Sequence, residues 1–479
     1  MPAFELPEAT IASIHAAYAS GELTAAALVE DYLGRIAASP LNAVLATSED
    51  AAGRARELDD ELARTGRLAG PLHGIPVALK DNIETADLAT TFGSIAMQGY
   101  RPPEDATVAR RLREAGAIVL AKTTLPDWAS SWFSYSSVSG DTRNPYDHDR
   151  DPGGSSSGTG AAVAANLAAV GLGTDCGGSV RVPSSFCNLV GVRSTPGLVP
   201  RTGTSYLVIP QDTVGPMTRT VTDAARLMDV LAGYDPADPY SVAATVARRE
   251  RPYADGLDPG ALRGARIGLV TNALGDDPGV TAVVRAAVDA LGAAGATVVE
   301  VEIPDLFDHI VATSMYTDRS KHDLDQFLAE RHDPPVRSLA EAYERGQYDK
   351  RLDLMDAIMD GPEDPDSDPD YLRRFAARHE FTLLVTGLLA REDLGALTYP
   401  SVQVPPPTLA GRADWTTLTF PTNTLIASQT WLPAITVPAG FVPEGAPVGL
   451  ELVGKPYDEG TLLRYAYAFE QATGHRRAP

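Results

Sequence analysis

Apolar residues near the N-terminus recur at helical spacing. Leu28, Tyr32, Leu33 and Ile36 fall on one face of a helix, and Thr24 before them is a good N-cap. Residues 1–65 therefore read as helices, with Ala51–Thr65 a second, more polar one. From Leu72 the pattern changes to strand–helix alternation: Ile75–Leu79 a buried strand, Thr107–Ala115 a helix, Ala117–Ala121 a strand. The stretch Asp151–Arg193 is almost free of bulky side chains. Within it Gly158–Leu167 reads as a helix of small residues, Ala168–Gly173 as a short buried strand, and Val180–Cys187 as the start of another helix, with Pro183 tolerated in its first turn. Further on come a helix over Val221–Leu231, a Pro/Asp/Arg-rich linker over Asp235–Gly260, and strands Ala265–Val270 and Thr297–Ile303 flanking a helix Val280–Ala293. Residues 305–389 are mostly helical and polar, with an acidic loop at Asp360–Asp370. Strands at Ala396–Tyr399 and Ala434–Val437 and a helix Tyr465–Thr473 close the chain.

The small-residue stretch has a chemical use. Two serine sites, Ser155–Ser157 and Ser179, each follow a Gly-Gly pair. A glycine turn with successive N–H groups ahead of a helix suits an anion; in acyl transfer that anion is the oxyanion of the tetrahedral intermediate. Ser179 on such a turn is a candidate nucleophile, with the N–H groups of Cys176, Gly177, Gly178 and Ser179 facing the oxyanion. A Gly-rich packing loop is the plainer reading of an isolated Gly-Gly-Ser. Lysine is scarce: Lys80, Lys122, Lys321, Lys350 and Lys455 are all there are. Lys80 lies in the run GIPVALKDN. A lysine at the end of a buried strand is desolvated, which lowers its pKa and lets it act as a neutral base; the plainer reading is a surface lysine with a buried stem.

Taken together, GIPVALKDN, PGGSSSGTGAAVAA, GLGTDCGGSVRVPSSFCNLVGVRSTPGLVPRTG, PAITVPAGF and PVGLELVG resemble the amidase signature family, and Ser155 and Ser179 stand 24 residues apart in keeping with it. The likeness is dense over 66–230, returns at 421–475 and is vague between. It implies an α/β fold: a large mixed, mostly parallel sheet covered by helices, in a single large domain. The chain then divides into an N-terminal helical segment (1–65), the signature core (66–235), a variable helical cap over the substrate (236–420) and a C-terminal return to the core sheet (421–479). The resemblance also implies a Ser-cisSer-Lys triad: Ser179 as nucleophile, Ser155 as bridging serine on a cis peptide, Lys80 as base. Ser156, Asp175 and Arg181 match positions that hold the network in place. The aromatic, serine-rich stretch Trp128–Gly140 corresponds to a loop over the active site, with the backbone around Ala129 and Ser131 near the catalytic groups; core packing is the alternative for Trp128, Trp132 and Phe133. Two departures stand out. Cys176 replaces a commoner apolar residue or Thr, and Arg193-Ser194 replaces Lys-Pro.

Composition narrows the class. The net charge is −23 and the pI near 4.7, which argues against nucleic acid or an anionic membrane as partner. Two cysteines are too few for a disulfide framework or a structural zinc site, and scattered histidines suggest no metal. The N-terminus has no basic region followed by an apolar run, so a signal peptide is not expected, nor a membrane span. The expectation is a cytoplasmic enzyme, monomer or homodimer, that needs no cofactor and hydrolyses a small linear amide with an apolar or aryl body, or a related carbamate or ester, through an acyl-enzyme on Ser179. The alternative is the glutamine-hydrolysing A subunit of a tRNA-dependent amidotransferase, in the same family. That protein carries Gln after the Arg of its Gly-Gly-Ser motif, where this chain has Val182. A nucleophile elbow at Gly154–Gly158, with Ser156 attacking and His475 as partner, lacks the buried strand that should precede it.

Overall fold

In the computed structural model, which describes residues 4–247 and 251–479, eleven strands form one sheet. They are β1 (Val44–Thr47), β2 (Pro76–Lys80), β3 (Ile118–Thr123), β4 (Val170–Asp175), β5 (Val190–Arg193), β6 (Thr213–Thr218), β7 (Arg266–Val270), β8 (Thr297–Val301), β9 (Ala396–Pro400), β10 (Ala434–Phe441) and β11 (Pro447–Val453). Their spatial order is β1-β3-β2-β4-β6-β5-β10-β11-β9-β7-β8. Strands β2 to β6 are buried along their whole length, as their unbroken runs of small or apolar residues require of a sheet covered on both faces.

The sheet is mixed, as expected, but it is not mostly parallel. Parallel pairs are confined to two flanks, β3-β2-β4 and β9-β7-β8; the other six pairings are antiparallel. A parallel neighbour needs a crossover helix, and no helix intervenes between β5 and β6 or between β10 and β11. These four strands carry the centre of the sheet. Because β10 pairs with β5, the two ends of the family resemblance share one sheet. The middle of the chain is not purely a helical cap, since β7, β8 and β9 extend the same sheet.

Several predicted elements lie where the pattern put them. Thr24 caps the helix Ala25–Ala38 by accepting from Ala27 N at 3.2 Å, and helices Ala51–Thr65 and Val221–Leu231 match residue for residue. Strand β4 starts two residues later than expected, since Gly and Ala give no period to mark an edge. The four-residue edge strand β1 was not anticipated; half-exposed, it shows no alternation. Residues 1–3 of the N-terminal segment and 248–250 of the linker lie outside the described residues.

The helix Ser157–Ala164 is built of small residues for a measurable reason. A Cβ at Gly158 would come 2.3 Å from Ala43 O and 2.4 Å from Thr124 N. One at Gly173, on β4 beneath the helix, would meet Ser156 Oγ at 2.5 Å. Backbone contacts of this kind have no room to relax, so Gly brings the first serine site down onto β4. On the other side of the catalytic segment an aromatic cluster gathers Phe92, Trp128, Trp132, Phe133, Tyr316, Phe327 and Phe420.

Candidate active site

Lys80 is the last residue of β2, and Ser179 follows the end of β4. Both therefore sit at the carboxyl ends of neighbouring parallel strands, where α/β sheets open their crevices. Lys80 is fully buried. Its Nζ donates to Ser155 Oγ at 2.7 Å and to Thr174 Oγ1 at 2.7 Å. Asn82 Nδ2 donates to the same Thr174 Oγ1 at 3.0 Å, which fixes that hydroxyl. Burial pulls the Lys80 ammonium down to about 7, against the opposing pull of the Asp212 and Asp175 carboxylates. An amine that is neutral near pH 7 and bonded to a serine hydroxyl is able to take that hydroxyl's proton.

The Gly154–Ser155 peptide is cis, as the resemblance implied. Ser156 does not face the cavity: its N–H donates to Ser179 O at 3.1 Å, and its Oγ to Thr174 O at 3.3 Å. It thereby ties the first serine site to the second. No strand directly precedes it, and His475 lies against Phe469, so the nucleophile-elbow reading fails on geometry.

The turn Cys176–Ser179 is held from behind. Arg181 grips Asp175 with two bonds of 3.0 Å and also bonds Glu451 and Ser428. Asp175 Oδ2 accepts from Val180 N at 3.2 Å. Burial alone would raise Asp175, but Arg181 and Arg193 outweigh it and hold the carboxyl at about 2. Arg193, noted in the sequence only as a departure, bonds Asp175 O at 2.6 Å and Asp175 Oδ1 at 2.9 Å. It touches none of the reacting groups but fastens the base of the turn. Among the described residues, the backbone N–H groups of Gly177, Gly178 and Ser179 donate to no protein acceptor. Gly178 sits at φ 144°, where a side chain is strained, and its Cα faces Thr424.

A narrow cleft opens at Ser179, lined by Ala129, Ser130, Ser131, Trp132, Cys176, Gly177, Leu207, Tyr316, Leu354 and Thr417. Of the anticipated residues, Ala129, Ser131, Cys176 and Gly177 line it with Ser179. Lys80 and Ser155 are fully buried and are not among the lining residues, and a side chain at Gly178 would point at Thr424. The aromatic stretch is split between its two readings. Trp128 is core, stacked on Phe92 with ring planes 7° apart, and Phe133 packs on Phe420. Trp132 is cavity wall, its indole N–H anchored on Thr417 O at 2.8 Å. Burial pushes the Cys176 thiol well above its ordinary value, so it lines the wall as a neutral group.

Sequence reasoning missed Thr174, Asn82, Gln211, Tyr316, Leu354 and Thr417. Thr174 precedes Asp175 in a quoted motif, and its place beside a buried lysine's strand was the available signal. The last three come from remote segments with no local mark.

The fold is that of an amide-bond hydrolase, and it brings Lys80 against Ser155 next to the Ser156–Ser179 backbone contact. The amidase family model matches residues 27–463, and the chain belongs to that family, whose members hydrolyse amide C–N bonds. It is 36% identical over 489 residues to the A subunit of glutamyl-tRNA(Gln) amidotransferase from Symbiobacterium thermophilum, covering 98% of this chain and 97% of that one. Among solved structures it superposes on the peptide amidase PAM in complex with the competitive inhibitor chymostatin with a TM-score of 0.88 at 38% identity, over 99% of this chain and 100% of that one. The amidotransferase A subunit from Thermotoga maritima superposes with a TM-score of 0.78 at 27% identity, over 99% and 97%. No helix among the described residues is long and apolar enough to cross a membrane.

Proposed function

We propose that the chain is a stand-alone amidase that cleaves linear amides with an apolar or aryl body, and related carbamates and esters, through an acyl-enzyme on Ser179. Neutral Lys80 draws a proton through Ser155 from Ser179. Ser179 Oγ attacks the carbonyl carbon, and the N–H groups of the 176–179 turn receive the oxyanion. The proton returns through Ser155 to the leaving nitrogen, the C–N bond breaks, and water hydrolyses the ester. Asp175, Arg181 and Ser156 keep the turn and the first serine site in register.

The observation that carries the substrate class is the cavity wall. Trp132, Leu207, Tyr316 and Leu354 supply apolar surface, and no charged side chain is among the residues that line it. Free glutamine bears an ammonium and a carboxylate; both would lose water there without a counter-charge. The likeness to peptide amidase supports an amide attached to a larger body. Identity to the amidotransferase A subunits favours the second reading, a glutamine-hydrolysing chain that works with partners; Val182, where those proteins carry Gln, speaks against it.

The test is a hydrolysis screen over aryl anilides, peptide amides, carbamates, esters, acetamide and glutamine, with Ser179→Ala as control. Anilide or peptide amide as best substrate, with turnover and fluorophosphonate labelling both lost in Ser179→Ala, is the expected result. Glutamine as best substrate favours the second reading. Turnover surviving in Ser179→Ala sinks the acyl-enzyme scheme.

A further inference from the structure

The Cys176–Gly177 peptide is a single planar unit. Its carbonyl and its N–H point in opposite directions because the bond is trans and flat, so whatever fixes the carbonyl of Cys176 also aims the N–H of Gly177. That carbonyl accepts from Gln211 Nε2 at 2.6 Å. Gln211 is itself fixed: its Oε1 accepts from Arg378 Nη2, and its backbone carbonyl from Arg193 Nη2 at 2.7 Å. Arg378 lies on the helix Pro369–Arg391 and is 1% exposed. Its hydrogen-bond acceptors are two neutral oxygens, Gln211 Oε1 and Thr313 O at 2.7 Å. A guanidinium buried among neutral partners is costly, and burial draws Arg378 down to about 10. Thr313 leads into Tyr316, whose side chain walls the cavity against Gly177.

We propose that Arg378 and Gln211 are positioning residues for the oxyanion turn. Arg378 orients the Gln211 amide, Gln211 holds the Cys176 carbonyl away from the cavity, and the Gly177 N–H is thereby presented to the developing oxyanion. Through Thr313 the same guanidinium sets the distance of Tyr316 from that turn. The variable middle of the chain thus contributes to the chemistry as well as to the substrate wall. This rests on the acyl-enzyme reading.

The experiment compares wild type with Gln211→Leu, Arg378→Met, the double variant and Arg378→Lys. Four quantities are read: the second-order rate of Ser179 phosphonylation by a small fluorophosphonate, kcat and KM for the best amide of the screen, and Tm. Each single variant should lower the phosphonylation rate and kcat about tenfold to a hundredfold, somewhat less than the loss of an oxyanion donor, with KM changed less than about threefold. The double variant should be no worse than the worse single one, since both act on one path. Arg378→Lys, which keeps a donor to Gln211, should recover part of the loss. Losses that multiply in the double variant, a raised KM at unchanged kcat, or a lowered Tm with unchanged kcat per labelled site would each overturn the proposal. If Arg378→Met does not fold, Gln211→Leu and Arg378→Lys carry the test, and wild-type kcat in Gln211→Leu refutes it. An inactive Ser179→Ala beside a fully active Gln211→Leu removes the positioning role alone; an active Ser179→Ala removes both readings.

Discussion

Lys80 Nζ meets the hydroxyl of Ser155 at 2.7 Å. The other fully buried lysine, Lys122, meets the Asp81 carboxylate at 2.9 Å. The two side chains stand on adjacent parallel strands, β2 and β3. Lys122 is half of an ion pair and is spoken for. Lys80 is surrounded by hydroxyls and a carbonyl, which suit an amine that gains and loses a proton.

If Lys80 is the base, the rate should rise with pH as its ammonium deprotonates. With the group at about 7, kcat/KM at pH 6 should be about a tenth of its plateau, by simple titration. Lys80→Arg keeps the charge but cannot accept a proton, so it should lose about a thousandfold or more, like Lys80→Ala. A rate flat from pH 6 to 9 with normal Lys80→Arg activity refutes the role.

The same burial has a stability signature. The folded-state value of Lys80 lies below its unfolded value, so between about 7 and about 10.4 the unfolded chain binds the extra proton and stability contributed through this group rises with pH. Below about 7 the full cost of burying the amine is present. Lys80→Met removes it, so the variant's stability relative to wild type should grow as pH falls from 10 to 7, by about 1.4 kcal/mol per pH unit. Urea unfolding of both proteins at several pH values reads this directly; a pH-independent difference would count against a depressed Lys80.

Trp132 should set substrate preference. Burying one face of an aryl group, about 80 Å² at roughly 25 cal/mol per Å², is worth about 2 kcal/mol, or roughly thirtyfold in kcat/KM. Trp132→Ala should therefore reduce the ratio of kcat/KM for an aryl anilide over acetamide by about that factor. An unchanged ratio assigns the preference to another part of the wall.

Gly177 has no room for a methyl group: its Cβ would come 2.6 Å from the Trp132 ring and would collide with Tyr316 Oη. Gly177→Ala should lower kcat about a hundredfold by displacing the turn, a loss of the size expected for an oxyanion donor. Adding Tyr316→Phe removes the colliding oxygen and should restore part of it. Equal activity of Gly177→Ala and wild type would mean that the turn tolerates movement and does not hold the oxyanion.

Arg181 holds two buried carboxylates, Asp175 and Glu451. Arg181→Met should destabilise by about 3–5 kcal/mol, the cost of stranding buried charge, and should abolish activity with it. Denaturant unfolding measures the first. A loss below about 1 kcal/mol, well under that cost, would show that Arg193 alone is enough for Asp175.

Much of this was legible without a structure because it is local. Helix caps, the apolar stripe of Leu28 and Tyr32 and the unbroken apolar runs of the central strands are consequences of neighbours in the chain, and periodicity reports them. Lys80, Ser155 and Ser179 stood out because glycine pairs and a scarce lysine are unusual against their surroundings, and because their motifs keep a family's spacing. Other features depend on groups brought together from far along the chain. The sheet's antiparallel centre follows from how β5, β6, β10 and β11 connect, which no single strand's composition reveals. The same stretch of aromatics became core at Trp128 and cavity wall at Trp132, since backbone geometry after the 127–129 turn sends successive side chains to different neighbours. Gln211 and Arg378 reach the Cys176 carbonyl from 35 residues away and from the variable middle of the chain. Side chains, taken alone, name the candidate groups; only tertiary packing decides which lysine loses its water without a carboxylate at bonding distance, and so which one is drawn down toward neutrality.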